Sequence, residues 1–270
     1  MNYFQSLNPV IQALIGGMFG WLCTSIGASL VFFMKNINNK LLAMMQGFAA
    51  GVMIAASFWS LLAPALDFAK LHPGALPQWA PVALGFLAGG IFLRLLDVII
   101  PHLHFFEDHG DVHNSQSLPK TWLLFLAVTI HNFPEGLAIG VAYAAAAMNQ
   151  DSATLAGAIA LTLGIGIQNI PEGSALSLPL RASGKTPMQA FNLGQISAIV
   201  EPMGAVLGAL GVMVVSSMMP YALSFAAGAM IFVVVEELIP ESQTSNYTDE
   251  ATMSLLIGFT LMMILDVALG

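Results

Sequence analysis

The chain has 270 residues, of which 57% are hydrophobic and only 8% charged, with a mean hydropathy of +0.80. A soluble domain is usually about a quarter charged, so a separate soluble domain is excluded and a membrane protein is implied. The formal charge of −8, with seven Lys and Arg in all, excludes a basic stripe able to track nucleic acid, and the single cysteine, Cys23, excludes internal disulfides and thiolate metal clusters.

Polar interruptions divide the chain into apolar segments near 9–34, 41–66, 79–100, 120–148, 153–180, 187–215, 220–240 and 251–269. A spanning helix needs roughly 20 apolar residues. The expected architecture is therefore all-α and polytopic, one transmembrane domain over residues 1–270 with eight spans and no removable signal peptide, since MNYFQSLNPV carries no basic n-region. The breaks KNINNK, DFAKLHPGALPQ, 101–119, NQD, RASGKTP, SSMMP and ESQTSNYTDE carry turn residues or charge. With the N-terminus outside, the inner loops hold Lys35, Lys40, Lys120, Arg181 and Lys185, and the outer loops hold only Lys70. The positive-inside rule then puts both termini on the extracytoplasmic side.

GFAAGVMI at 47–54 recurs as SFAAGAMI at 224–231, and GF at 85–86 and LDV at 96–98 recur at 258–259 and 265–267. Spans one to three thus repeat as spans six to eight. An odd repeat with two spans between has opposite orientation in the membrane, a 3+2+3 inverted repeat of the kind found in secondary transporters.

Span four carries HNFPEG at 131–136, and span five carries QNIPEG at 168–173. Asn132 and Glu135 are three apart and His131 and Glu135 four apart, so they share one side of a helix; Gln168, Asn169 and Glu172 repeat the pattern. Pro134 and Pro171 free the carbonyls of Ile130 and Ile167, which in hydrocarbon must line a hydrated cavity or find another donor. Glu201, just before Pro202, adds a third intramembrane acid. Buried acids of this kind point to function, and imidazole, carboxylate and amide oxygen suit Zn²⁺ and its first-row neighbours. Interhelical hydrogen bonding is the alternative for any one of the amides, but not for three acids and a histidine beside three prolines.

Other positions are more ambiguous. Met53 is one of sixteen methionines and by itself suits packing better than a thioether ligand. Asp67 fits a solvated helix end or an acidic entrance equally. Glu236 and Glu237, adjacent acids in span seven, suggest a water-filled exit. The loop from 101 to 119 holds His102, His104, His109 and His113 among Glu107, Asp108 and Asp111, a composition that suits metal binding or simply a solvated loop. An intramembrane metallohydrolase would want HExxH and a di-metal oxidase ExxH; neither occurs, so an enzyme is not expected. A non-transporting metal sensor or a channel-like pore stays open.

HNFPEGLAIG at 131–140, QNIPEGSAL at 168–176 and EPMGA at 201–205 resemble the ZIP (Zrt/Irt-like) divalent metal transporters, most closely their prokaryotic branch. The resemblance covers the whole chain. It implies import of a divalent metal, Zn²⁺ first with Cd²⁺, Mn²⁺ or Fe²⁺ as further substrates, across a bacterial inner (plasma) membrane, by an elevator-type movement and with no organic cofactor. By the same resemblance, one ion sits among Met53, His131, Glu135, Gln168 and Glu172. A second sits among Asn132, Glu135, Asn169, Glu172 and Glu201. Asp67 becomes an entrance acid, and His102, His104, Glu236 and Glu237 line the release route, which His109 and His113 could extend. Many members have histidine where this chain has Gln168. Small residues in GFLAGG at 85–90 suit packing within or between protomers and leave a homodimer open.

Overall fold

The computed structural model describes residues 2–34, 38–72, 76–99, 120–148, 154–214, 218–244 and 246–269. Among them every regular element is helical. After a short turn, Asn2–Gln5, come α1 (Pro9–Phe32), α2 (Asn39–Leu71), α3 (Trp79–Ile99), α4 (Lys120–Ala147) and α5 (Leu155–Ala182). Then follow α6 (Pro187–Met213), α7 (Met219–Gln243) and α8 (Thr248–Leu269). Side-chain caps start several of them. Asn8 Oδ1 accepts from Val10 N at 2.9 Å beside Pro9, Thr154 Oγ1 accepts from Gly157 N at 2.9 Å, and Thr186 and Gln189 form a reciprocal capping box.

Five of these helices, α1, α2, α6, α7 and α8, are long and apolar enough throughout to cross a membrane. The apolar part of α3 is shorter, Trp79–Leu95. Helices α4 and α5 have 28 residues each, but HNFPEG and QNIPEG interrupt their apolar runs. Leu84, Leu87, Ile91 and Leu95 stand more than half exposed along one side of α3, a face that water would penalise and lipid accepts. The chain is an integral membrane protein. The segment 67–78, expected as a break, stays helical through Leu71, because polar residues alone do not stop a helix.

The helices pack as two groups. In one, α1 packs on α5 and α6, and α4 on α6; in the other, α2 packs on α8 and α3 on α7. The groups meet where α2 touches α5 and α4 touches α7. Close approach is made by glycine, and it recurs with a fixed shift. A Cβ on Gly51 would strike the carbonyl oxygen of Leu255, and one on Gly228 that of Phe86. Likewise Gly258 lies against the carbonyl of Phe48, and Gly89 against that of Phe225. Helix α2 therefore maps onto α7 (Gly51 to Gly228) and α8 onto α3 (Leu255 to Phe86, Gly258 to Gly89). That register keeps LDV aligned with LDV but leaves the two GF pairs one helical turn apart. The same relation joins α1 to α6 and α4 to α5. Gly173 meets the carbonyl of Thr24 as Gly136 meets that of Glu201, and Gly27 meets Ile170 as Gly204 meets Phe133. Even the irregularities recur: α2 has a π-helical stretch at Ser57–Leu62 and α7 one at Val234–Leu238.

Candidate metal site

The chain runs helically through Pro134 and Pro171, and each QN or HN-PEG motif therefore presents its polar residues within one turn. Helix α6 behaves differently. Pro202 cannot donate to the carbonyl of Ala198, and the helix is interrupted between Ser197 and Val200; Glu201 N instead bonds Ala198 O at 3.0 Å. Glu201 thus occupies the first turn of a new helical stretch, where the positive end of the helix dipole favours a carboxylate.

Asn132, Glu135, Gln168, Asn169 and Glu201 are wholly buried and Glu172 nearly so. Two contacts tie three helices together. Gln168 Nε2 donates to Glu135 Oε1 at 2.7 Å, from α5 to α4. Asn169 Nδ2 donates to Glu201 Oε1 and Oε2 at 3.1 and 3.0 Å, from α5 to α6. Asn132 Nδ2 donates to the carbonyl of Val128 at 2.8 Å. Each amide uses its N–H group in this way, and the oxygens of Asn132, Gln168 and Asn169 are left buried with no donor among the described residues. A buried acceptor left unpaired costs about 1–3 kcal/mol. All three are acceptors that a cation would satisfy, and two of them belong to side chains that bond Glu135 and Glu201. Among the described residues no group of three His, Cys, Asp or Glu side chains is placed to hold a metal ion.

His131 belongs to α4, and its side chain lies outside the described residues. Met53 is fully buried on α2, the helix of the second group that packs on α5. Asp67 lies away from the cluster, near the end of α2, and accepts from Lys70 Nζ at 2.8 Å. Glu236 is exposed and Glu237 half-buried, both in the π-helical stretch of α7. His102, His104, His109 and His113 lie outside the described residues.

Two part-buried polar links were not expected. Ser60 Oγ donates to Asp266 Oδ1 at 2.5 Å, joining α2 to α8; the other Asp266 oxygen has no donor among the described residues. Both side chains line a cavity of about 170 Å³ with Trp59, Thr154 and Leu223. Gln46 donates to Glu241 across α2 and α7. A lone acid within an apolar span was the sequence signal for Asp266; its partner on another helix left none.

The family model for the ZIP zinc transporter matches residues 106–266, which includes both PEG motifs and Glu201. The human protein "Zinc transporter ZIP11" is 38% identical over 341 residues, covering 98% of this chain and 99% of its own length. "Zinc transporter GufA" of Myxococcus xanthus is 36% identical over 95% of this chain and 98% of its own. "Zinc transporter ZIPB" of Bordetella bronchiseptica is 39% identical over 96% and 81% respectively. Matches of this extent reach well beyond the motifs, and the chain belongs to the ZIP zinc transporter family.

Proposed function

We propose that the protein carries Zn²⁺ and related divalent transition metals into the cytoplasm through a two-metal site at mid-membrane. The observation that carries this reading is the buried set Asn132, Glu135, Gln168, Asn169, Glu172 and Glu201, in which Gln168 bonds Glu135 and Asn169 bonds Glu201 while the three amide oxygens have no donor among the described residues. One ion is held by Met53, His131, Glu135, Gln168 and Glu172. The other is held by Asn132, Asn169 and Glu201, with Glu135 and Glu172 bridging. The relatives named as zinc transporters support zinc as the first substrate, and Cd²⁺, Mn²⁺ and Fe²⁺ offer compatible chemistry.

In this reading all eight helices span the membrane in a 3+2+3 inverted arrangement, both termini outside. The repeated glycine–carbonyl contacts support it. Movement is of the elevator type: α1, α4, α5 and α6 carry the ions past α2, α3, α7 and α8. The division of the helices into two packed groups supports this, with Met53 contributed across the boundary. Asp67 gathers ions at the outer end; Glu236, Glu237, His102 and His104 receive them inside, with His109 and His113 extending that route. Metal binding displaces protons from the carboxylates and keeps His131 neutral.

The test is flux in proteoliposomes across a panel of divalent ions. Saturable zinc uptake that Glu172→Ala abolishes is the expected result. Flux that rises linearly with metal would mean a pore, and zinc binding without flux a sensor. No flux for any ion, with Glu172→Ala changing nothing, overturns the proposal.

A further inference from the structure

We infer that Gly20 is a positioning residue for the transport site: the space left by its missing side chain is the seat of the Glu201 carboxylate. A Cβ built on Gly20 would overlap Glu201 Oε1 and lie 2.5 Å from Cδ and 2.9 Å from Oε2. On its other side the same carboxylate accepts both bonds from Asn169 Nδ2. Glu201 is thus held between the bare backbone of α1 and an amide of α5, and it is wholly buried there.

The backbone under Glu201 cannot withdraw to make room. A Cβ on Gly17 would already lie 2.7 Å from Cα of Pro202, and one on Gly136 would strike the carbonyl oxygen of Glu201 itself. Any side chain at position 20 must therefore be accommodated by the Glu201 side chain. A glutamate can swing its carboxylate away at little cost to the fold, but then both the Asn169 contacts and the metal position are lost. Gly20 sets where the third acid points without touching an ion. The requirement is one of space, since the residue is helical and has no left-handed backbone.

This inference rests on Glu201 being a metal ligand, and Glu201→Ala tests that premise separately. Zinc KM and kcat are measured in proteoliposomes for Gly20→Ala, Glu201→Ala and the double variant, with metal-free Tm for each. Gly211→Ala, on an open part of α6 with nothing within 4 Å, gives the baseline for adding a methyl group. The expected result is a KM raised about tenfold or more in Gly20→Ala, the scale of disturbing a ligand's support, with metal-free Tm close to that of the wild type. On the Glu201→Ala background, Gly20→Ala should add nothing, because the group it displaces is gone. If Gly20→Ala alone fails to fold, a double variant that folds supports the inference equally, since removing the displaced carboxylate has then relieved the clash.

Wild-type kinetics in Gly20→Ala with impaired Glu201→Ala overturns the inference and leaves the metal reading standing. Additive losses in the double variant, or a double variant that still fails to fold, also overturn it, since the methyl group would then act on packing. Wild-type kinetics in Glu201→Ala removes the ligand role of Glu201, and the role of Gly20 falls with it.

Discussion

Asn169→Leu separates a transport site from interhelical glue. The side chain does two opposed things in the metal-free protein. Its N–H group reaches both oxygens of Glu201 at 3.1 and 3.0 Å, a hydrogen bond worth about 0.5–1.5 kcal/mol net. Its own oxygen is buried without a donor among the described residues, at a cost of about 1–3 kcal/mol. Leucine, similar in size, removes both, but it also leaves the buried Glu201 oxygens without that donor, at a further cost of about 1–3 kcal/mol. Metal-free stability should fall by no more than about 3 kcal/mol.

On the proposed reading the loaded protein should behave differently, because the oxygen is then a ligand. Losing it, together with the alignment of Glu201, weakens binding by about 2.7 kcal/mol or more, roughly a hundredfold at 1.4 kcal/mol per decade. At a zinc concentration of about 100 times the wild-type Kd, linkage stabilises the wild type by about 2.7 kcal/mol. The same concentration, then only about equal to Kd, stabilises the variant by about 0.4 kcal/mol. At roughly 2–4 °C per kcal/mol for a chain of this size, the zinc-induced rise in Tm should fall from about 5–11 °C to about 1–2 °C. Thermal unfolding in detergent with titrated free zinc reads this directly. A variant that keeps the full zinc shift refutes the ligand role. One that loses more than about 4 kcal/mol without metal shows that Asn169 is structural glue instead.

Three further outcomes follow from other parts of the molecule. Gly51→Val and Gly228→Val, which force side chains into equivalent backbone carbonyls, should each lower stability by about 3 kcal/mol or more, whereas Gly211→Val, where nothing lies within 4 Å, should leave stability unchanged or raise it by a few tenths of a kcal/mol, valine being the better helix former; thermal unfolding checks all three. Lys40→Ala removes a 2.8 Å ion pair to Glu250 whose side chains are 47% and 38% exposed, so the solvent-screened pair should contribute little and Tm should barely move, and zinc flux should not change. Asp67→Asn should raise the KM for zinc uptake at low ionic strength without changing kcat, and the effect should fade as salt screens the entrance; an unchanged KM at low salt would refute an entrance role.

The helical segments were legible in the sequence because apolar runs and their breakers set them by local chemistry. Their ends were less so. Asp67–Leu71 has polar residues but no breaker before Pro73, and the helix simply continues to Leu71. The GF pairs misaligned by one turn because Gly85 and Gly89 stand one turn apart on the same helix, so either matches Gly258 by composition. The LDV match already favours Gly89, and packing agrees: Gly89 meets the carbonyl of Phe225 as Gly258 meets that of Phe48. The polar residues of the site could be picked out by their spacing, but not which amide meets which acid. The contacts of Gln168 with Glu135 and of Asn169 with Glu201 depend on how three helices cross. Ser60 and Asp266 were harder still, since they are distant in sequence and the π-helical stretch alters the face on which Ser60 stands.

The repeat makes the site's asymmetry informative. A strict repeat would give α1 an acid where α6 has Glu201, at the mapped position Thr24. That would bury a fourth carboxylate, and an unpaired buried charge is destabilising by several kcal/mol. Thr24 instead satisfies itself, donating to the carbonyl of Gly20 at 3.3 Å. The remaining asymmetry, His131 opposite Gln168, acts in the same direction. An imidazole at both positions would offer two strong ligands, but the Gln168 N–H group holds Glu135 at 2.7 Å, as Asn169 holds Glu201. A carrier must return empty, and an empty site needs donors for its acids once the cations have left. On the proposed reading, the amides of α5 serve in both halves of the cycle: their N–H groups stand in for the metal when it is absent, and their oxygens face it when it binds. Gln168→His should therefore tighten zinc binding while slowing the return of the empty carrier. The measurement is a lower KM with a reduced kcat in the same flux assay; a kcat equal to or above that of the wild type would refute this account of the asymmetry.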